Sequence, residues 1–438
     1  MIERHEKYKN SGIAWLGEIP EHWEVIKLKY IGESIIGMTY SPDDVVPNQG
    51  TLVLRSSNIQ DGKLSLNDCV YIQKDIPDKL RVKKGDILIC SRNGSRALIG
   101  KNITIDEATE GQTFGAFMTV FRTELSEFVS KYFNSQVFNG QSGLFLTATI
   151  NQLTINTINN FFIALPHPEE QGAIAAFLDR KTAEIDELIA QKERLIELYE
   201  EEKTAIINEA VTKGINPDVK LKPSGIDWLG DIPEHWQIVP MTKYLDSIVD
   251  YRGRTPKKID TGLFLVTAKN IKGGIIDYSL SEEYVDRLDA QSLLDRGTPE
   301  IGDVLFTTEA PLGEVANIDR EDIALAQRVI KFRGKEKVLD NYFLKYWLMC
   351  NSFQQDLYTY ATGSTALGIK ASKLPKLLLL LPPLEEQRAI AAYIEKECAR
   401  IDAKIAKTKR IIELQKEYRT ALISEAVTGK IKVPELVA

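Results

Sequence analysis

The chain has little of what would make it an enzyme on its own. Its four histidines, His5, His22, His167 and His235, form no HExxH and no other pair at metal-ligand spacing. GxSxG and GxGxxG do not occur. The nearest approaches to a phosphate-binding loop fail in detail. Ser95 to Lys101 has serine where the first glycine of GxxxxGK belongs and Asn102 where serine or threonine belongs, and Gly363 to Lys370 carries an extra residue before its lysine. No sequence-local pair of carboxylates stands out as a general acid and base or as a two-metal site. These absences leave no visible site for a nucleotide or an S-adenosylmethionine-type methyl donor, so no cofactor or metal is expected on this chain. A catalytic site assembled from dispersed residues stays open.

Cysteine is scarce as well. Cys69, Cys90, Cys350 and Cys398 stand far apart without a CxxC, and no secretory leader precedes them, so a reducing cytoplasm is the expected setting. No window approaches eighteen uninterrupted apolar residues, and the Leu377 to Leu381 run has the length of a core strand. No membrane partner is expected. Acidic residues outnumber basic ones, giving a net charge of −7. Most of that excess lies in residues 167–220, which hold seven Lys and Arg against thirteen Asp and Glu. The remaining segments are near neutral and free to carry local basic patches.

What is present is a repeat. From Pro168 to Lys213 the chain reads as one long charged helix, with no proline after its start and no glycine after Gly172, and the pattern returns from Pro383 at an offset of 216 residues. That offset carries Gln171 onto Gln387, Ala175 onto Ala391 and Asp186 onto Asp402. Apolar residues at Ile174, Leu178, Ile185, Leu188, Leu195, Tyr199 and Ile206, with Ile390, Ile394, Ile401, Ile411 and Leu422 in the second copy, mark the seam of a parallel or antiparallel coiled coil. About forty residues make a rod of about 60 Å, which must bury its stripe. The copy has equal length and a matching pattern, and its more basic face suits the acidic first helix.

A second repeat heads each globular segment. Ser11 to Trp23 (SGIAWLGEIPEHW) returns as Ser224 to Trp236 (SGIDWLGDIPEHW) at an offset of 213. The tryptophans and His22 and His235 read as structural. In mid-chain the order is helix, linker, motif, whereas the first motif has no helix before it and the second helix has no motif after it. The N-terminal segment is therefore expected beside the end of the second helix, and circular permutation is expected to be tolerated.

The segments between share a strand frame more than residues. Short strands are predicted at Val53-Leu54, near Ile59, at Gly85 to Cys90, Phe117 to Phe121 and Phe161 to Leu165, with a helix over 128–138. The second segment repeats the plan at Leu265-Val266, Gly302 to Phe306, Val329 to Phe332 and Leu377 to Leu381, with a helix over 342–357. The expected boundaries are 1–166 for the first domain, 167–213 for the central helix, 214–223 for a linker, 224–381 for the second domain, 382–430 for the C-terminal helix and 431–438 for a tail.

Within this frame the turns carry polar and basic clusters. Arg55, Asn58 and Lys63 form one, and Arg92, Asn93, Arg96 and Lys101 another. The second segment offers Tyr251, Arg252, Arg254, Lys257 and Lys258, then Lys269, Asn270 and Lys272, and the turn with Ser364, Thr365 and Lys370. Arg and Asn suit bidentate contacts to guanine and adenine edges, while Lys suits phosphates. These are the DNA-binding candidates.

Taken in order, SGIxWLGxIPEHW, the LPxPEEQxAIAAFL-like stretches at Leu165 to Leu178 and Leu381 to Ile394, the long helix after each and the Gly-Asp-Ile/Val-Leu strands at Gly85 and Gly302 resemble the specificity subunit of Type I restriction-modification systems. The resemblance covers essentially the whole chain. It implies duplicated α/β (α+β) domains joined by two long helices in an intramolecular antiparallel coiled coil with internal pseudo-twofold symmetry. It further implies a non-catalytic, prokaryotic, cytoplasmic protein that reads an asymmetric bipartite target in double-stranded DNA. Its partners would be two adenine-N6 methyltransferase subunits, which would carry S-adenosylmethionine, and in some systems restriction subunits. A standalone DNA-binding or scaffolding protein, and a nuclease with a dispersed active site, are the alternatives.

Overall fold

The computed structural model describes residues 3–60, 62–146, 151–251, 257–294, 297–363 and 367–433. Packing divides the chain into two compact units, Met1–Glu193 with Lys409–Ala438, and Arg194–Thr408. The two long helices, Pro168–Lys213 and Leu384–Val427, each contribute to both. Glutamates fill the first turn of each, where the helix dipole favours negative charge. Each stops at a glycine at positive φ, Gly214 at +81° and Gly429 at +68°, a conformation that an L side chain adopts only with strain.

The helices pair antiparallel in both units. In the first, Asp186 receives a two-pronged contact from Arg419 at 2.8 and 3.1 Å, while Glu193 faces Lys416 at 3.7 Å. In the second, Lys203 holds Asp402 at 2.7 Å and Lys404 lies 5.1 Å from the centre of the Tyr199 ring. By the 216-residue offset, Asp186 with Arg419 and Asp402 with Lys203 are one contact made twice, once in each unit. Along the second helix the buried positions Ala391, Ile394, Cys398, Ile401, Ile405, Thr408 and Ile412 alternate spacings of three and four.

Several seam positions differ from the expected ones. Ile174, Leu178, Ile185, Ile390, Ile394, Ile401 and Leu422 are buried. Leu188, Ile206 and Ile411 are only half-buried, and their neighbours Ile189, Ile207 and Ile412 are buried instead; Leu195 and Ile196 are both half-buried. Every discrepancy falls on two adjacent apolar residues. There a spacing pattern leaves the phase open by 100°, and packing decides it.

Each unit builds the same frame from two four-stranded sheets. In the first unit an antiparallel sheet runs Asn102–Thr104, Ile87–Cys90, Met118–Arg122, Glu33–Ile36, and a mixed sheet runs Thr113–Phe114, Thr51–Leu54, Tyr71–Ile72, Val45–Val46. The second unit repeats both orders, with Leu312–Asn317, Val304–Thr308, Val329–Gly334, Leu245–Asp250 and with Ile323–Leu325, Leu263–Val266, Tyr284–Val285, Lys258–Ile259. Ile87–Cys90 and Val304–Thr308 are buried along their length, as their Ile-Leu-Ile and Val-Leu-Phe runs require.

A bidentate ion pair ties the two central strands together in both copies. Arg122 donates to both oxygens of Asp86 at 2.8 and 2.7 Å, and Arg333 does the same to Asp303 at 2.6 and 2.7 Å. The second copy adds Lys331, 1% exposed, whose Nζ lies 2.9 Å from Asp303. Burial by itself would raise the Asp303 carboxyl, but hydrogen bonds from Arg333 and Lys331 more than reverse this and hold it below the usual carboxylate range.

The helices predicted over 128–138 and 342–357 are each broken in two. Ser126–Phe133 is followed by Gln136–Gly143, and Asn341–Met349 by Asn351–Thr359. Ser135 Oγ and Cys350 Sγ, at matching places, accept from the amides of Phe138 and Phe353 and start the second helix of each pair. Trp23 and Trp236 are buried, and each donates its ring N–H to a first-turn glutamate, Glu170 or Glu386. The N-terminal segment lies against the end of the second long helix: Lys432 N donates to Glu3 O at 2.8 Å, and the Tyr8 hydroxyl donates to Gly429 O at 3.2 Å.

Candidate nucleic-acid interface

The same backbone scaffold carries different side chains in the two units. In the first, Ser91 N donates to Phe117 O at 3.0 Å and Leu153 N to Ser91 O at 2.8 Å. In the second, Thr308 N donates to Arg328 O at 2.9 Å and Ile369 N to Thr308 O at 3.0 Å. These bonds make Arg92 the counterpart of Glu309, and Phe117 the counterpart of Arg328. The Arg92 guanidinium sits 5.1 Å from the centre of the Phe117 ring, which is 56% exposed. Arg328 instead pairs with Glu309 at 2.9 Å. One copy thus presents a cation on an open aromatic face, and the other presents an exposed ion pair.

Around the first pair lie several of the predicted residues. Asn93 donates to Ser56 Oγ at 3.2 Å and accepts from Ser95 N, which fixes the turn, and Arg96 reaches Gly143 O at 3.4 Å. Arg55 is held by Asp68 at 2.8 Å. Lys63 and Lys101 are exposed. In the second unit Lys258 and Lys269 line a cleft of about 260 Å3 with Thr267, Gln327 and Arg328, and Glu283 on its wall pairs with Lys258 at 2.8 Å. Lys257, Lys272 and Lys370 are exposed. Arg252, Arg254, Ser364 and Thr365 lie outside the described residues.

Three predicted readers are part of the frame instead. Asn58 and Asn270 are both fully buried. The Asn58 amide donates to Ser65 O and Asp68 O, while its carbonyl oxygen accepts from Arg55 N. Asn270 repeats this with Asp277 O, Ser281 O and Thr267 N. With donors and acceptor spent on backbone, neither side chain is free to reach a base edge. Tyr251 is buried as well, its hydroxyl donating to Gly297 O at 2.6 Å, and burial drives its pKa upward.

Phe117, Glu309, Gln327 and Arg328 were missed by the sequence reading. Their signal is weak, because loop lengths move the offset between copies from 217 at Gly85 and Gly302 to 211 at Arg122 and Arg333. Only the strand pairing aligns them.

A profile of the Type I restriction modification DNA specificity domain matches residues 20–198 and 258–415. The MjaX protein of Methanocaldococcus jannaschii, assigned to the type I restriction enzyme specificity subunits, is 27% identical over 98% of both chains. The type I restriction enzyme EcoKI specificity subunit of Escherichia coli is 22% identical over 95% of this chain and 90% of its own. In fold, the chain is similar to one from a structure of complex assembly and conformational transition of the type I R-M system. The TM-score is 0.69, with 17% identity over 93% of this chain and 98% of that one. It is also similar to the HsdS subunit of Thermoanaerobacter tengcongensis, with a TM-score of 0.51 and 19% identity over 94% and 98%. With two matches that together span most of its length and fall on both halves of a duplicated frame, the chain belongs to the Type I restriction-modification DNA specificity family.

Proposed function

We propose that the chain reads a bipartite DNA sequence, one part with each globular domain, and positions adenine-N6 methyltransferase subunits on it. The observation that carries this reading is the shared frame with unlike surfaces. Identical backbone bonds support Arg92 on Phe117 in one copy and Arg328 with Glu309 in the other, so each domain presents its own chemistry at the same place. The working modules are 1–166 and 224–381. Segments 167–213 and 382–430 form the spacer that sets the gap between half-sites, with 214–223 as linker and 431–438 as tail.

Arg92, Arg96, Lys258, Lys269 and Arg328 are the residues we assign to base and phosphate contacts, with Arg55, Asn93, Lys63, Lys101, Lys257, Lys272 and Lys370 around them. Leu198 and Leu414, equivalent by the 216 offset and both exposed on the long helices, are apolar anchors for two methyltransferase subunits, one per copy. Restriction subunits join where a system has them. Among the described residues no helix is long and apolar enough to cross a membrane, and we place the chain in the cytoplasm with its DNA.

Purified chain incubated with target duplex and labelled S-adenosylmethionine is expected to transfer no methyl group, and addition of the cognate methyltransferase subunit is expected to start transfer. Methylation or metal-dependent cleavage by the chain alone would overturn the assignment. Tight specific binding without partners would favour a standalone DNA-binding protein.

A further inference from the structure

Three of the four histidines meet at one place in the first unit. His22 Nε2 lies 3.0 and 3.1 Å from the two oxygens of Glu170. The His5 ring centre is 5.5 Å from that of His22, and the potential ligand atoms of His5, His22 and Glu170 all lie within 4.8 Å of one another. His167 also stacks with His22, with ring centres 6.1 Å apart and planes 15° from parallel.

The duplication supplies an internal control. In the second unit His235 pairs with Glu386 at 2.8 Å while Trp236 donates to the same carboxylate, as Trp23 does to Glu170. The His–Glu–Trp arrangement is therefore a frame device common to both copies and needs no metal. The counterparts of His5 and His167, however, are Asp218 and Pro383. The extra imidazoles belong to the first unit alone. Among the described residues the half-buried His5 ring has no hydrogen-bond partner. A cleft of about 260 Å3 lined by His5, Glu170 and Lys432 adjoins it and leaves room for water ligands.

We propose that His5, His22 and Glu170 bind a zinc-class divalent cation. Two imidazole nitrogens and one carboxylate oxygen are a donor set that suits Zn2+, with water completing the tetrahedron. Ligands about 2.0–2.1 Å from a tetrahedral metal lie about 3.3 Å from one another, which His22 and Glu170 already approach. His5, whose ligand atom lies within 4.8 Å of the other two, has to move closer to complete the set. Lys432 and Lys7 oppose a cation there, and Glu6 and Glu21, which line the same cleft, offset them. A bound ion would fasten three pieces of chain together: the N-terminal segment, the turn before Trp23 and the first turn of the long helix. It would thus reinforce the joint at which Lys432 N reaches Glu3 O.

The test uses the full untagged chain, stripped with chelator and titrated with Zn2+ by calorimetry, with Co2+ absorption as a second probe. One Zn2+ per chain is expected, with a rise of several degrees in the melting temperature of the native protein. His5→Ala is expected to lose at least about tenfold in affinity and most of the thermal gain, without changing the melting of the metal-free chain. His235→Ala and Cys69→Ser are expected to bind as the native chain does. Absence of stoichiometric Zn2+ binding by the native chain would overturn the proposal, as would unchanged binding in His5→Ala. Loss of binding in Cys69→Ser would likewise overturn it by moving the ion to a thiol.

Discussion

Replacing Arg92 and Phe117 together with alanine is expected to weaken binding of the assembled complex to its target duplex by about 100-fold. A well-placed arginine on a base edge and an aromatic stacked on a base each contribute about 1–3 kcal/mol, and the Phe117 face is open to solvent with the guanidinium beside it. Neither side chain supports the frame, because the bonds that do so use the Ser91 and Phe117 backbone. Fluorescence anisotropy of the complex on labelled duplex reads the effect, and gel filtration shows that the subunits still assemble. Unchanged affinity in an intact complex would assign the pair to plain surface and move the reading site elsewhere in the domain.

Asp303→Ala is expected to be the most destabilising single change in the second unit. Asp303 neutralises the buried Lys331 and pairs with Arg333. Removing it leaves the Lys331 ammonium without its carboxylate in a site almost closed to water, while the partly exposed Arg333 keeps Glu300. Breaking a buried pair in this way costs about 3–5 kcal/mol, on the order of 10 °C in the melting of a unit of this size. The first copy has Val120 where the second has Lys331, so Lys331→Val in the Asp303→Ala background is expected to recover part of the loss. The pH dependence has a definite sign. A carboxyl held below its ordinary range contributes its full stability above about pH 4 and loses it as pH falls through the folded value. Calorimetry of the native chain and both variants checks this, and a loss below about 1 kcal/mol would contradict the role given to Asp303.

The duplication, the long helices and the buried central strands were legible because each repeats or spans enough residues for a period to register. Of the second sheet in each unit only the strands at Val53-Leu54 and Leu265-Val266 were legible, since partners such as Tyr71–Ile72 and Tyr284–Val285 hold two residues and carry no period. The helix breaks at Ser135 and Cys350 depend on side-chain caps, and cysteine is not a residue that announces one. Asn58 and Asn270 were misread for an instructive reason. An asparagine kept in both copies while its neighbours change from Arg-Ser-Ser to Thr-Ala-Lys belongs to what the copies share, which is the frame. What reads DNA should be sought where the copies differ, as at Phe117 and Arg328.

The division of labour between the two domains is tested most directly by a base-resolution map of N6-methyladenine in a host that expresses this chain with its methyltransferase partners, compared with the Arg92→Ala, Phe117→Ala variant. The expected native result is a motif in two specified parts separated by unspecified bases, and the variant should lose or relax one part while the other is kept. A single continuous motif, or simultaneous change of both parts in the variant, would contradict it.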